Sequence, residues 1–413
     1  MNTSSHARRL VALVLCGLAA AAPAAPLSFD EALRLAESSS PTLAERDARI
    51  EAARRQVTYA GELPDPKLVL GITNLPIDTA DRFSLSRDFM TMQMIGVKQA
   101  VPNADKRRAR TEMAQGASAS AEAERLIETL RVRRETAQAW IARRTAERKL
   151  ALFDELFREN ALLRGAVNQR IASGRGLALE SVPPREEAAW LAARQDRVER
   201  ERQDALAALR RWIGEAAEAP LAGDYPTWTI VPERLAHRLH DHPELAAFAP
   251  RTREAEAGIR EALADKKPDW EVELAYQHRP DFSEMASLVV SFDLPVFAAR
   301  RQDPRIAARR AELAGIEATR EAAVREHAQM LESDLAAYRQ LDRAVARQTD
   351  TLLPLAQEKA ELVLAAYRAG RIELARVIEA RSAWIDARIE AIELEGRRAR
   401  VAARLHYAYE EYP

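Results

Sequence analysis

Three histidines near the middle of the chain are the first candidates for chemistry, because imidazole is a common metal ligand. His237, His240 and His242 lie in one short stretch, together with Asp241. On a helix only residues three or four positions apart share a face, so His237 and His240 could pair while His242 could not join them. A closed metal site needs more ligands than this pair supplies. We therefore predict that His242 is the N-cap of a following helix and that the three histidines form no metal site.

A second candidate is the row Met90, Met92 and Met94, because thioether sulfur is a ligand for Cu(I). Softness alone selects metals poorly, and flexible apolar methionine also suits a surface that faces lipid. The alternation predicts a strand on which the methionines face outward, opposite Gln99. Replacing all three with leucine should then leave copper tolerance intact.

Nucleic-acid binding and catalysis find no support in the sequence. The basic segment DKRRAR, from Asp105 to Arg110, is short, and in the whole chain Lys plus Arg (62) nearly cancels Asp plus Glu (63). There is no Gly-rich phosphate loop after a strand, no His-Glu-x-x-His helix and no nucleophile motif. We predict no enzyme, no cofactor, no bound metal and no nucleic-acid partner.

The elements that position these residues are mainly long helices. Between Gly116 and Gly165 there is neither Gly nor Pro, and apolar residues recur at steps of three and four. We predict a helix from about Ala104 to Ala172, which would be about 100 Å long at 1.5 Å per residue. A helix of that length must pack beside others as a coiled coil. Similar patterns predict helices over Ile306–Tyr367 and from Leu374 to about Tyr409.

Four short segments have instead the two-residue period of strands, at about 66–76, 89–101, 268–278 and 285–297. In the third, the apolar Trp270, Val272, Leu274 and Tyr276 alternate with polar residues. Such strands could form two hairpins on a soluble core, but their length and two-faced character favour an outer-membrane barrel. Four strands cannot close a barrel, so several chains must contribute. The residues predicted to line its lumen are Glu271, Glu273, Gln277, Ser291, Asp293 and Gln99.

The same plan of helix, two strands and long helical hairpin occurs twice. SSSPTLAERDARIEAA from Ser38 is echoed by HDHPELAAFAPRTREAEA from His240, and IASGRGLALESV by YRAGRIELARVI. We predict a first repeat over 25–214, a linking segment over 215–232 and a second repeat over 233–413. Pro183 and Pro184 depart from the helical pattern and leave the start of the first returning helix undefined.

The N-terminus has the pattern of a secretory signal peptide, which we place at residues 1–24. Arg8 and Arg9 precede an apolar run from Leu10 to Ala22, followed by the small residues of a cleavage site. Cys16 raises the alternative of a lipid attachment, which the bulky residue before it disfavours. The protein is thus expected to be exported.

Several of these segments together resemble the TolC family of outer-membrane efflux proteins. The resemblance covers nearly all of the mature sequence and includes FDEALRLAESSSPTLAERDARIEAA, GVKQAVPNADKRRAR, LAALRRWIGE and YRAGRIELARVIEARSAW. It implies a homotrimer in which long coiled-coil helices form a periplasmic tunnel and four strands per chain build a twelve-strand barrel in the outer-membrane lipid. It also implies two partners, a periplasmic membrane fusion (adaptor) protein and an inner-membrane RND pump.

Within that family, GELPDPKLVLGITNLPID and LSRDFMTMQMIGVKQ are most similar to the outer-membrane components of heavy-metal efflux systems of the cobalt–zinc–cadmium and copper–silver type. The resemblance therefore implies a conduit for heavy-metal cations. Drug efflux and type I protein secretion are the alternatives within the family. A soluble periplasmic coiled-coil adaptor is the alternative outside it, although adaptors have one helical hairpin where this sequence has two.

The resemblance also assigns the two turns where the long helices reverse direction. They would form the periplasmic tip that docks the adaptor, with Gly174, Arg175, Tyr367, Gly370 and Arg371. Glu379 stands where the family often has an acid, and Arg376 where another is frequent, which implies a periplasmic gate. At a spacing of three residues they could form an ion pair that holds the tip closed. The alternative is that they are ordinary surface charges of a coiled coil.

Overall fold

The computed structural model describes residues 26–78 and 80–410, so the predicted signal peptide and Cys16 lie outside the described residues. Over these residues the chain is mainly helical, with long helices and four strands, as the sequence predicts. The helices are α1 Phe29–Ser39, α2 Pro41–Ala60, α3 Ala104–Ala172, α4 Pro183–Ile213, α5 Pro232–Arg238, α6 Pro243–Ala246, α7 Phe248–Ala264, α8 Gln302–Arg347, α9 Leu353–Arg368 and α10 Leu374–Tyr409. The strands are β1 Lys67–Thr73, β2 Met92–Val101, β3 Trp270–His278 and β4 Met285–Phe292.

Helix α3 has the predicted bounds, and a side-chain cap defines its start. The side chain of Asn103 caps its start by accepting a hydrogen bond from the backbone N–H of Lys106 at 3.0 Å. Its 69 residues make it about 100 Å long. Helix α4 begins at Pro183, after a short 3₁₀ turn at Ala178–Ser181, which defines the start that the sequence left open.

The predicted helix over Ile306–Tyr367 is interrupted, and this part of the prediction is wrong. A π-helical turn over Gln348–Leu352 separates α8 from α9. Pro354 explains it, because proline has no N–H and its ring crowds the carbonyl four residues earlier, at Asp350. A wider turn relieves that contact while the helical direction continues.

The four strands form one antiparallel sheet in the order β1-β2-β3-β4. The hairpin β1–β2 thus lies beside the hairpin β3–β4, and pairing between β2 and β3 joins the two. The last strand is shorter than the predicted span and ends at Phe292, because Pro295 cannot donate a ladder hydrogen bond and a 3₁₀ turn follows at Ala298–Arg300. Among the described residues, the outer edges of β1 and β4 pair with no further strand.

The apolar cores lie between the helices, one after another along their length. In the largest, Trp140 of α3 is fully buried and its ring meets Phe29 edge-on at 5.5 Å. Its indole Nε1–H donates to the carbonyl oxygen of Leu27 at 3.4 Å. A further core lies around Phe153 and Ile385, where α3, α4 and α10 meet. This distribution is typical of coiled-coil packing rather than of one central core.

No helix in the described part of the chain combines the length and the apolar character needed to cross a membrane.

Candidate functional site

The sheet has two chemically different faces, and the pairing of the strands defines them. Cross-strand partners in an antiparallel sheet share a face, and successive residues alternate between faces. Leu70 pairs with Ile95, Ile95 with Tyr276, and Tyr276 with Ala286, so all four lie on one face. We call this the apolar face. Its large exposed side chains are Leu68, Leu70, Ile72, Ile95, Val97, Trp270, Leu274, Tyr276, Leu288, Val290 and Phe292.

The opposite face, which we call the polar face, carries charged and amide groups. Glu271, Glu273 and Gln277 of β3 lie there, and Ser291 pairs with Glu271. Lys98 of β2 forms an ion pair with Glu271, with 2.6 Å between Nζ and Oε1. Lys98 was not predicted to lie there, because its neighbours in the sequence are the apolar Val97 and the polar Gln99.

The register places Gln99 on the apolar face, so its predicted position beside the acidic residues is wrong. Gln99 pairs with Val272, and its amide donates to the carbonyl oxygens of Pro64 and Ala100 at 2.8 Å. β2 has polar and apolar residues on both faces, so its alternation alone could not orient it. Only pairing with β3 does so.

The same register corrects the orientation of the methionines. Met94 pairs with Gln277, and the Gln277 amide donates to the Met94 sulfur at 3.9 Å. Met92 shares that face by alternation, while Met90 precedes the strand. The predicted outward-facing row is therefore wrong, because Met92 and Met94 lie on the polar face.

Asp293 lies just past β4, where the sheet meets the helices. Its backbone N–H donates to the carbonyl oxygen of Asp269 at 2.9 Å. Nearby, Lys106 Nζ lies 2.9 Å from Asp265 and 2.5 Å from Asp269. The Asp269 carboxylate also accepts the backbone N–H of Asn103 at 2.8 Å.

This charged junction accounts for part of the basic segment DKRRAR. Besides Lys106, Arg110 donates to Glu261 of α7 at 2.9 Å, and Asp105 pairs with Lys267. These contacts anchor the base of the sheet to the helices.

The two helix reversals have the same backbone geometry. Gly174 and Gly370 adopt φ values of 72° and 71°, a left-handed conformation that favours glycine. After each glycine, the next N–H bonds back to a carbonyl five residues earlier: Arg175 to Arg170 at 2.9 Å, and Arg371 to Ala366 at 3.0 Å. This is the Schellman motif, which satisfies the last carbonyl groups of a helix.

Tyr367 is buried rather than displayed at the tip. It is 5% exposed, its hydroxyl donates to Glu180 at 3.1 Å, and the guanidinium of Arg170 lies 4.6 Å from its ring centre. Tyr367 therefore joins the two helical hairpins, whereas Arg175 and Arg371 are exposed.

Arg376 and Glu379 form the ion pair that their spacing predicts, with 3.0 Å between Nη1 and Oε2. Both side chains are largely exposed, at 70% and 61%. Exposed pairs of this kind contribute about 0–1 kcal/mol. The contact within one chain is thus weak.

A stronger ionic cluster lies farther from the turns and was not foreseen from the sequence. The side chain of Lys149 is buried between α3, α4 and α10, with its Nζ paired to Glu201 and, at 2.8 Å, to Glu393. Burial opposes ionisation of Glu393, but the hydrogen bond and charge of Lys149 outweigh it and lower the pKa of Glu393. Nothing in the local sequence marks Lys149 among the many exposed cations.

The three histidines occupy three different elements. His237 lies on α5, His240 in a 3₁₀ turn at Leu239–Asp241, and His242 caps α6, as predicted. The backbone N–H of Glu244 donates to His242 Nδ1 at 3.2 Å. Burial and the neighbouring His327 lower the pKa of His242 to about 4. His327 comes from α8, far away in sequence, so no local signal could have found it.

No protein-family model matches the chain, and no curated protein sequence matches it. The chain does match several solved structures in fold. A membrane protein from Pseudomonas aeruginosa is similar with a TM-score of 0.80 at 19% identity, covering 92% of this chain and 93% of that one. The outer membrane protein VceC from Vibrio cholerae is similar with a TM-score of 0.77 at 16% identity, over 92% and 95%. CusC, for which structures describe conformational changes that accompany folding and transmembrane channel formation, is similar with a TM-score of 0.77 at 15% identity. The match covers 92% of this chain and 91% of that one. These likenesses establish the fold.

Proposed function

We propose that this chain is one protomer of a trimeric outer-membrane channel, the exit conduit of a tripartite efflux system. The observation that carries the proposal is the exposed apolar face of the sheet. In single soluble proteins the largest apolar patches are a few hundred Å² and usually mark an interface. Here eleven large leucine, isoleucine, valine and aromatic side chains on one face of the sheet are exposed. Strands of 7 to 10 residues with one apolar face suit the hydrocarbon layer.

Closure of the sheet supports a trimer. In lipid an unpaired strand edge leaves N–H and C=O groups without partners, so β1 and β4 must pair with other chains. Two chains would give eight strands, a barrel just wide enough to be filled by side chains. Three chains give twelve strands and room for an aqueous passage, which agrees with the trimer implied by the TolC-family resemblance.

The polar face would then line the passage. Glu271, Glu273, Gln277 and Ser291 share that face, and Lys98 neutralises part of its charge. Asp293 would lie at its periplasmic end, near the charged junction with the helices. Water in the lumen makes these charges inexpensive. Lys67 is the cross-strand partner of Lys98 and shares the face, so the two lysines balance Glu271 and Glu273.

The long helices would form the periplasmic tunnel, and the two glycine turns its tip. Gly174, Arg175, Gly370 and Arg371 are the surface proposed for docking of the periplasmic membrane fusion protein. The buried Tyr367 would support this surface from beneath. The inner-membrane RND pump would complete the system.

The substrate class is proposed as heavy-metal cations, on the basis of the segments around β1 and β2 that resemble channels of metal-efflux systems. Drug efflux and type I secretion remain the alternatives, since the pump rather than the channel selects the cargo. A deletion strain scored against metals and antibiotics decides between them. Sensitivity to metals alone is expected, and sensitivity to antibiotics alone would contradict the metal assignment.

The channel itself is tested by fractionation. We expect trimers in the outer-membrane fraction that resist sarkosyl and shift in mobility on heating. A soluble periplasmic monomer would instead support the adaptor alternative and refute the channel.

The gate is tested separately with Arg376→Ala and Glu379→Ala. Because the pair within one chain is weak, a gate requires that the three copies act together near the axis. Leak of antibiotics or metals through the resting channel should rise in both variants. Arg200→Ala on α4 is the control, since Arg200 forms an equally exposed pair with Asp204. Leak at the wild-type level in both tip variants would exclude the gate.

A further inference from the structure

A cluster of metal-ligating side chains lies away from the sheet and the tips, where α6 meets α8. His242, Glu244 and His327 each direct one possible ligand atom into the same space, and these atoms lie within 4.8 Å of one another. His327 Nε2 is 3.1 Å from Glu244 Oε2, and the two imidazole rings are 4.0 Å apart at their centres.

The backbone explains why two residues so close in sequence can converge. On a helix, positions two apart point away from each other. His242, however, precedes α6 with φ −53° and ψ 130°, a conformation outside the helix. Its side chain therefore turns back over the first turn, where the N–H of Glu244 donates to it.

The two histidines are held firmly, whereas the carboxylate is free to adjust. His242 and His327 are each 6% exposed, while the Glu244 side chain is 49% exposed. The carbonyl oxygen of His327 accepts the hydroxyl of Tyr409 at 3.2 Å, which ties this turn of α8 to the end of α10. Rigid ligands with one adjustable carboxylate suit a site that must admit an ion.

The cluster opens to solvent through a cleft of about 540 Å³. Three carboxylates and two guanidinium groups line it, so its net charge is negative when the histidines are neutral. Of the two guanidinium groups, that of Arg134 is paired with Glu135 at 3.2 Å. Asp334 is likewise held by Arg404 at 2.6 Å.

We propose that His242, Glu244 and His327 form a Zn²⁺ site in which a water molecule completes the coordination. Two imidazoles and one carboxylate with an open fourth position are a common ligand set for zinc, whereas Ca²⁺ and Mg²⁺ prefer oxygen alone. Bonds of about 2.0–2.1 Å in a tetrahedron place ligand atoms about 3.3 Å apart, close to the observed spacing of His327 and Glu244.

Metal uptake changes two existing contacts. The first is the 3.1 Å hydrogen bond between His327 Nε2 and Glu244 Oε2, which gives way to metal bonds from the two side chains. His242 Nδ1 now accepts the Glu244 N–H. Coordination by Nδ1 exchanges this hydrogen bond for a metal bond, and coordination by Nε2 requires the ring proton to move to Nδ1. The ion would join α6, at the start of the second repeat, to the middle of α8. This inference does not depend on the proposed channel function.

The test uses the full mature protein in detergent, expressed without a polyhistidine tag and stripped with a chelator. Titration with Zn²⁺ alone, followed by calorimetry, is expected to show one ion bound per chain. Bound Co²⁺ should give the visible absorption of a tetrahedral nitrogen and oxygen site. Zinc should also raise the midpoint of thermal unfolding, because a ligand of the folded state stabilises it.

The variants His327→Gln, Glu244→Gln and His242→Asn should each weaken zinc binding at least tenfold. Asn is a good N-cap residue, so His242→Asn removes the imidazole while preserving the start of α6. Glu244→Gln is the variant least able to disturb folding, since that side chain is half exposed. His237→Gln and His240→Gln are matched controls from the same stretch and should bind as the wild type does.

Binding no tighter than the buffer background in the wild type would overturn the site. So would wild-type affinity in His327→Gln and His242→Asn, or an equal loss in the His237 and His240 controls.

Discussion

Apolar side chains are buried in the helical hairpins but exposed on one face of the sheet. Leu156 and Leu191 between the helices are 0% exposed, whereas Leu70 and Leu288 on the apolar face of the sheet are 69% and 68% exposed. The helices of one chain bury their apolar stripes against each other. The sheet is a single layer, and among the described residues nothing covers its apolar face. One chain thus supplies its own helical core but requires another environment for its strands.

The largest expected effect separates two tryptophans. Trp140→Ala in the helical core should lower the free energy of unfolding by about 3–5 kcal/mol, since it removes a fully buried ring and leaves a cavity. Trp270→Ala at the start of β3 should change it by less than about 1 kcal/mol, because that ring is 43% exposed in the chain. Chemical denaturation in detergent, followed by circular dichroism of the helices, measures both. Equal losses of unfolding free energy in the two variants would contradict the predicted difference between the helical core and the sheet.

A charged substitution on the apolar face of the sheet tests whether that face contacts lipid. Leu288→Arg should cost about 2–4 kcal/mol per chain on membrane insertion if the apolar face contacts the hydrocarbon core. The readout is the yield of heat-modifiable trimers in the outer-membrane fraction. Ser287→Arg, one residue away on the polar face, is the matched control and should preserve trimers. Equal yields from the two variants would argue against lipid contact.

Two ion pairs extend the comparison to charges. Lys149→Met should lower the free energy of unfolding by about 1–3 kcal/mol at neutral pH, because it leaves the half-buried Glu393 without its partner. Lys98→Met in the sheet should cost less than about 1 kcal/mol, since its pair with Glu271 is more exposed.

The Lys149 effect should also depend on pH. The folded-state pKa of Glu393 lies below its ordinary value of 4.5, so the stability it contributes is present above that value and is lost as pH falls through the folded pKa. The difference between wild type and Lys149→Met should therefore shrink in acid, as measured by denaturant unfolding between pH 7 and about pH 3. If the difference in unfolding free energy does not change with pH, the ionisation of Glu393 does not contribute to the effect of Lys149→Met.

Local sequence signals predicted much of this fold. The span of α3 follows from a long run without glycine or proline in which apolar residues recur at steps of three and four. Gly174 and Gly370 mark two turns with the same Schellman geometry. His242 caps α6 as its position before Pro243 indicates. Pro354 is an equally local signal, and it lies just after the π-helical turn that interrupts the predicted helix.

The candidate sites were predicted less completely, because their residues meet through long-range contacts. Glu271, Glu273 and Gln277 share a face by simple alternation within one strand. Gln99 was placed wrongly because β2 is oriented only by its pairing with β3.

The sequence alone therefore determined the long helix α3, the four strands and the glycine turns, since periodicity and capping depend on neighbours within a few residues. Tertiary structure decided which face of β2 meets the acids, that Lys149 is buried, and that His327 lies against His242. Each of these depends on packing between elements that are distant in the chain, and no local pattern carries that information.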